Sequence, residues 1–263
     1  MYFKGAKVGN MIKLFNVIRK DKLSKNQFSS YLIYAVGEIL LVVIGILIAL
    51  KVNNMNEARI LTDRMNDYLT KIQSNVSEDI LESERLMNFR NINADLCNNV
   101  SEDLINNDFS DQLQIQQAIL NMIIEVELNY NRSAFESLKS SGYLSHLNNQ
   151  KLEDLLYDYY LKTDQILMRE IDQKDWANAL ETELDKIGFF YEWNELDKKV
   201  ITDLYTLFGN YNQNIKWHPG HKIIMRLLFR GGTNKTILSP LYQEHILLAQ
   251  ELITAIKNHQ NTT

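Results

Sequence analysis

The chain has one cysteine, Cys97, two prolines, Pro219 and Pro240, and ten glycines in 263 residues. A single thiol cannot close an intrachain disulfide, and it excludes paired C-x-x-C redox and zinc motifs. Scarce proline and glycine exclude an architecture of many short strands, which needs turn residues at regular intervals. Five histidines, at 146, 218, 221, 245 and 259, leave little material for a metal centre of three or four ligands. No G-x-S-x-G, H-E-x-x-H or calcium-loop pattern occurs. What remains is a sequence rich in Leu, Ile, Asn, Asp, Glu and Lys, the composition of helices joined by polar loops.

Charge is also missing, over one stretch. Tyr31 to Leu50 reads YLIYAVGEILLVVIGILIAL, and Glu38 is its one acidic or basic residue. A helix of that length covers the roughly 30 Å of a hydrocarbon layer. Before it lie Lys4, Lys7, Lys13, Arg19, Lys20, Lys22 and Lys25 against one acid, Asp21. After it, residues 53–263 hold 20 basic and 31 acidic side chains, a net of −11. Basic flanks stay in the cytoplasm, so residues 1–30 read as a short basic cytoplasmic tail and 31–52 as the transmembrane helix. Residues 53–263 then read as a helical domain on the outer side of the membrane.

A cleaved signal peptide competes with this reading, because Ile39–Leu50 has the length of a signal core. The sequence Ile48-Ala49-Leu50-Lys51 lacks a small-x-small cleavage pattern, and a helical pattern continues through Ala58, so a retained anchor is expected. Met11 to Lys20 places Ile12, Phe15 and Ile18 on one helical side with Lys13, Arg19 and Lys20 elsewhere, which suits the anionic inner leaflet. Met11 is also a candidate translation start.

Glu38, Gly45 and Ala49 fall within about 40° of one another at 100° per residue. Gly45-x-x-x-Ala49 is a small-xxx-small pair of the kind that lets two helices approach. Burying an ionised carboxylate in lipid costs several kcal/mol, so Glu38 must be protonated, paired or turned toward a neighbour. Three readings stand: a shallow residue reaching the headgroups or bonded to Tyr31, Tyr34 or a flanking lysine; an oligomer contact; or a proton carrier in an ion-driven membrane complex.

Beyond the span, apolar periodicity predicts a helix continuing to about Gln73, with Ile60, Leu61, Met65 and Leu69 on its apolar side. A second helix, capped by Asn75 or Ser77, runs toward Leu104 through Leu81 and Ile92. A third covers Ser110 to Asn129, with Leu113 on its apolar face. Ser133 and Glu136 read as a capping box that opens a short helix, with Gly142 at C′. Asn149–Ile187 is the longest pattern, with Ile171 in its apolar row, a break expected near Lys174 and an end at Gly188. Val200–Gly209, Lys222–Phe229 and Ser239–His259 complete an irregular up-down helical bundle. Cys97 reads as a small core residue.

Few residues invite chemistry. His218 and His221 flank a Pro-Gly turn, yet no third metal ligand has matching spacing, so a turn preceding a helix is the expectation. Gly231-Gly232-Thr233-Asn234-Lys235-Thr236 lacks the glycine spacing and preceding strand of a phosphate loop. Glu78-Asp79, Glu82, Glu84 and Glu102-Asp103 read as solvated helix faces, and such an acidic surface disfavours nucleic acid. Tyr157, Tyr159 and Tyr160 read as core residues with hydroxyls near the surface. Phe189, Phe190, Tyr191 and Trp193 form an aromatic run after a helix end, a candidate partner-binding patch. Lys139, Ser140 and Ser141 are a candidate anion-binding or partner-binding trio, with cap and turn roles the default.

Tyr31, Tyr34, Ala35, Gly37, Glu38, Ile39, the apolar run, Asn53, Asn56 and Glu57 form an ordered pattern. It resembles the signature Y-x-x-Y-A-x-G-E-I-x-L-V-V-I-G-I-L-I-A-L-x-x-N-x-x-N-E of a family of uncharacterised bacterial single-span membrane proteins. Met55 stands where that family often has Trp. The segment Ser133–Gly142 (SAFESLKSSG) is similar to part of the family's outer domain. The resemblance implies a helical outer domain in a diderm envelope and implies no activity.

The sequence thus predicts an all-α protein: one transmembrane helix followed by an irregular extracytoplasmic helical bundle. Its expected role is non-catalytic interaction, sensing or scaffolding, with no cofactor. Expected partners are the lipid bilayer and either a second copy, through the span, or another membrane protein. An accessory subunit of an ion-driven membrane complex using Glu38 is the alternative. An envelope hydrolase or metal enzyme is the second.

Overall fold

A computed structural model describes residues 28–123, 126–187 and 219–262. Every element among them is helical. In chain order these are α1 (Phe28–Ile105), α2 (Gln112–Ile123), α3 (Ser133–Ser140), a 3-10 turn (Tyr143–His146), α4 (Gln150–Lys186), α5 (Pro219–Ile237) and α6 (Ser239–Gln260). The chain divides into two compact units, residues 1–63 and 64–263.

In the first unit, every side chain from Val36 to Ile60 is exposed. This part of α1 makes it a helix long and apolar enough to cross a membrane, close to the amino terminus. An isoleucine- and leucine-rich surface that no other described residue covers is unfavourable in water by about 25 cal/mol per Å².

The second unit is built on a row along α1 that advances by alternating steps of three and four residues. Met65, Leu69, Ile72, Val76, Asp79, Ser83, Leu86, Arg90, Asn93, Cys97, Val100 and Leu104 are all buried. That spacing keeps one helical face turned toward neighbouring helices. The row explains why Ile60, Leu81 and Ile92, expected on the apolar faces, stand exposed: they fall off it. Leu113 and Ile171 are likewise exposed on their own helices.

No break occurs at Asn75 or Ser77. No Gly or Pro interrupts the chain from Ile46 to Ile105, and both polar side chains are satisfied without ending the helix. Ser77 Oγ donates back to the Gln73 carbonyl at 2.8 Å, and Asn75 Nδ2 donates to the Asn131 carbonyl at 3.0 Å.

Shorter elements depart from expectation at their ends. α2 is described as Gln112–Ile123, and Val126–Arg132 is an irregular strap where the third helix is expected to continue. The Ser133–Glu136 capping box does not form. Instead Asn131 Oδ1 accepts from the Ser133 backbone N–H at 3.0 Å and from its hydroxyl at 2.6 Å. Gly142 does follow α3 with φ +77°, and its N–H donates to the Lys139 carbonyl at 3.1 Å. α4 begins as predicted, with Asn149 Oδ1 accepting from Leu152 N–H at 3.1 Å, but it passes Lys174 without a break. Gly188, the Val200–Gly209 helix and the Met11–Lys20 segment lie outside the described residues.

α5 is longer than Lys222–Phe229 and absorbs Gly231 and Gly232. Their lack of side chains permits close approach. A Cβ on Gly231 would sit 2.0 Å from Met122 Sδ and 2.7 Å from Cys97 Sγ; one on Gly232 would sit 2.0 Å from Asn98 Oδ1. The phosphate-loop likeness is therefore helix packing. Cys97 is fully buried here, and burial pushes its thiol up to about 12.

Side-chain bonds set the helix directions. α4 runs with α1, pairing Asp79 with Tyr159 and Arg90 with Glu170. α6 runs against α1, pairing Ser83 with His245, Arg90 with Tyr242 and Thr70 with Gln260. Among the described residues the core is three apolar clusters: one around Leu69, Leu156 and Leu252; one around Leu86, Ile166 and Tyr242; one around Val100, Leu184 and Leu227.

Candidate functional site

Between those clusters lie two buried polar layers. The row on α1 is apolar except at Asp79, Ser83, Arg90 and Asn93, and the row on α4 is broken at Thr163, Glu170 and Gln173. Because α4 runs beside α1, the polar positions meet.

The first layer joins three helices. Tyr159 donates to Asp79 Oδ2 at 2.6 Å. His245 has Ser83 Oγ 3.0 Å from Nδ1 and Thr163 Oγ1 3.1 Å from Nε2, and its ring stacks on Tyr159 with centroids 4.8 Å apart. Burial, with the Lys162 charge adding, holds His245 down to about 4, so it is neutral at ordinary pH. Burial pushes Asp79 up to about 6 against the opposing Tyr159 bond, with Glu78 adding to the rise. Asp79 is 3% exposed, so the expectation of a solvated acid is corrected. Tyr159 likewise keeps its hydroxyl inside, not near the surface, while Tyr157 is exposed and packs edge-on against Phe135.

The second layer is ionic. Glu170 Oε1 accepts from the Tyr242 hydroxyl and lies 3.5 Å from Arg90 Nη2, while Oε2 accepts from the Leu128 N–H at 2.8 Å. Arg90 also donates to Tyr242 at 3.1 Å and to the Val126 carbonyl. Arg230, 1% exposed, donates from Nε to the Gln173 carbonyl at 2.7 Å. A polar cavity of about 10 Å³ between Arg90, Asn93, Asn121, Arg230 and Asn234 is too small for a metabolite.

A larger groove, about 630 Å³, opens between Glu78, Asp79 and Glu82 of α1 and Asn129, Tyr130 and Asn131 of the strap. Glu82 is engaged by Arg85, at 2.7 and 2.8 Å. Among the described residues no group of three His, Cys, Asp or Glu is placed to hold a metal ion. Ser83 and His245 have the contact of a nucleophile and base, yet both are fully buried, and the far nitrogen of the ring faces Thr163. No substrate reaches that serine, so the contact is structural.

The residues singled out from sequence are scattered. Glu38, Gly45 and Ala49 are exposed on one side of the first unit, with no described residue packed within 4 Å of where a Gly45 side chain would begin. Lys139, Ser140 and Ser141 are exposed at the carboxy-terminal end of α3. Both serines have local bonds of the cap and turn kind that was the default expectation: Ser140 Oγ donates to the Ser137 carbonyl at 3.3 Å and Ser141 Oγ to the Leu138 carbonyl at 2.9 Å. A helix carboxy terminus carries partial negative charge, which disfavours an anion there. His221 lies in the first turn of α5. Phe189, Phe190, Tyr191, Trp193 and His218 lie outside the described residues.

Sequence reasoning missed Asp79, Arg90, Glu170 and His245. The signal was present: each interrupts an otherwise apolar row at the spacing of that row. No protein-family model, curated protein or solved structure matches the chain.

Proposed function

We propose that this chain is a single-pass bacterial inner-membrane protein, amino terminus in the cytoplasm. Its helical part is an extracytoplasmic up-down bundle that serves as a non-catalytic interaction, sensing or scaffold module. The apolar first part of α1, whose side chains are exposed from Val36 to Ile60, carries the reading. Lipid is the solvent such a surface requires, and the basic residues before it set the direction. The resemblance of Tyr31–Glu57 to single-span membrane proteins supports the same assignment.

The non-catalytic assignment draws on the second unit. The Glu170 and His245 clusters are sealed inside the helices, and the acidic groove that Asp79 lines has no Ser, Thr, Cys, His or Lys among its lining residues. Protease added to intact spheroplasts tests the topology. Digestion of residues 64–263 without lysis is expected; digestion only after lysis rejects it.

A second reading rests on Glu38, an exposed carboxyl within the apolar run. In this reading the chain is an accessory subunit of an ion-driven complex, and Glu38 carries a proton between it and a multi-span partner. Co-purification with such a partner, lost in Glu38→Gln, distinguishes the two. A metal enzyme using His218 and His221 is tested by elemental analysis of the purified protein.

A further inference from the structure

The strap Val126–Arg132 has no helical bonds of its own and is held almost wholly by side chains of α1 and α4. Arg90 binds the Val126 carbonyl, Lys174 pairs with Glu127 at 2.6 Å, and Glu170 accepts from the Leu128 N–H. Asp164 accepts from the Tyr130 hydroxyl at 2.9 Å and pairs with Arg132 at 3.2 Å, while Asn75 binds the Asn131 carbonyl. Under the far end of the strap sits Asp79, at the wall of the groove that the strap and α1 enclose.

Asp79 differs from the other carboxyls that hold the strap. Glu170 has Arg90 and Asp164 has Arg132, whereas the groups bonded to Asp79 are neutral: the Tyr159 hydroxyl and the Asn131 backbone. The titratable and charged groups around it are Glu78 and Glu82 on α1, Tyr159 and Tyr160 on α4, Tyr130 and Arg132 on the strap, and His245 behind Tyr159. The charge that acts on it directly, Glu78, is of the same sign. An ionised carboxylate covered this way is expensive, and rehydration relieves the cost. The strap is the cover that yields most readily: it is pinned to the apolar clusters by Leu128, Val126 and Tyr130 alone, whereas α4 contributes Leu152, Leu155, Leu156, Tyr159, Tyr160 and Ile166, and α6 contributes Tyr242, Ala249, Leu252 and Ile256.

We propose that residues 126–132 form a proton-sensitive latch, closed over Asp79 when that carboxyl is protonated and loosened from α1 when it is ionised. The sign follows from linkage. A carboxyl pushed up to about 6 by burial favours the closed arrangement below its ordinary range of 3.8, and that preference is lost as pH rises through about 6. His245, held near 4, keeps one charge state over most of this window and is not the switch. The latch does not depend on which side of a membrane the second unit occupies.

Hydrogen exchange by mass spectrometry on the full chain in detergent, corrected for the intrinsic pH dependence of exchange, tests this. Protection of the strap amides is expected to fall about twentyfold between pH 4.5 and 7, the change that linkage assigns to this shift. Amides of α4 between Leu155 and Leu180 keep their protection. Asp79→Asn removes the step and leaves the strap protected at both pH values. A flat wild-type profile, a step that survives Asp79→Asn, or the same step in α4 overturns the latch. Should Asp79→Asn fail to fold, the exposed change Glu78→Gln serves instead: its step must shrink, and an unchanged step overturns the proposal.

Discussion

Arg90 on α1 and Glu170 on α4 face each other with Nη2 and Oε1 3.5 Å apart, and both side chains are at least 95% buried. Each is satisfied further by Tyr242, so three helices share one charge pair. Removing one partner strands the other charge in the interior. Glu170→Ala is expected to cost about 3–5 kcal/mol in a denaturant titration of the full chain in detergent. The double change Arg90→Met, Glu170→Leu should recover more than half of that loss, because two apolar side chains leave no orphan charge. Equal losses in the single and double variants would show that the pair contributes packing only.

The first polar layer predicts opposed pH effects on stability. The depressed value of His245 gives stability that is present above 6.5 and lost as pH falls toward about 4, on the order of 3 kcal/mol. The raised value of Asp79 acts the other way, adding stability as pH falls through about 6 toward 3.8. The two offset each other between about pH 4 and 6. Asp79→Asn should therefore lose more stability than the wild type between pH 7 and 4.5, and His245→Gln should lose less. Denaturant midpoints at the two pH values measure both.

Gly231 and Gly232 look equivalent in sequence and are not. Alanine at 231 meets Met122 and Cys97 in the core, whereas alanine at 232 meets the side chain of the exposed Asn98. Gly231→Ala should destabilise by about 1–3 kcal/mol through overpacking. Gly232→Ala should be close to neutral, since Asn98 swings aside and helix propensity gains up to about 1 kcal/mol. Thermal unfolding of the two variants ranks them; the reverse order would refute the packing account.

For the span, Gly45→Leu and Glu38→Gln address the same face by different chemistry. If the chain assembles through Glu38, Gly45 and Ala49, Gly45→Leu should reduce cross-linking in lipid vesicles several-fold by blocking close approach. Cross-linking and co-purification that are unchanged in both variants remove the oligomer and proton-carrier readings together.

Sequence alone determined the helical class and the apolar span. Both follow from local properties: periodicity, an uncharged run, and the scarcity of Pro and Gly. It also determined where α4 starts, at Asn149, and the Gly142 ending of α3, where one residue's chemistry governs one turn. Tertiary structure decided what local pattern cannot contain. Asn75 and Ser77 have the side chains of helix caps, and only their partners at Asn131 and Gln73 show that they cap nothing. Asp79 stands beside Glu78 in sequence, and the 100° turn per residue sends one into the core and the other into water. Whether a carboxylate is a solvated ornament or a buried acid depends on what lies across from it. Here that is Tyr159, eighty positions further along the chain, brought near because α4 runs parallel to α1.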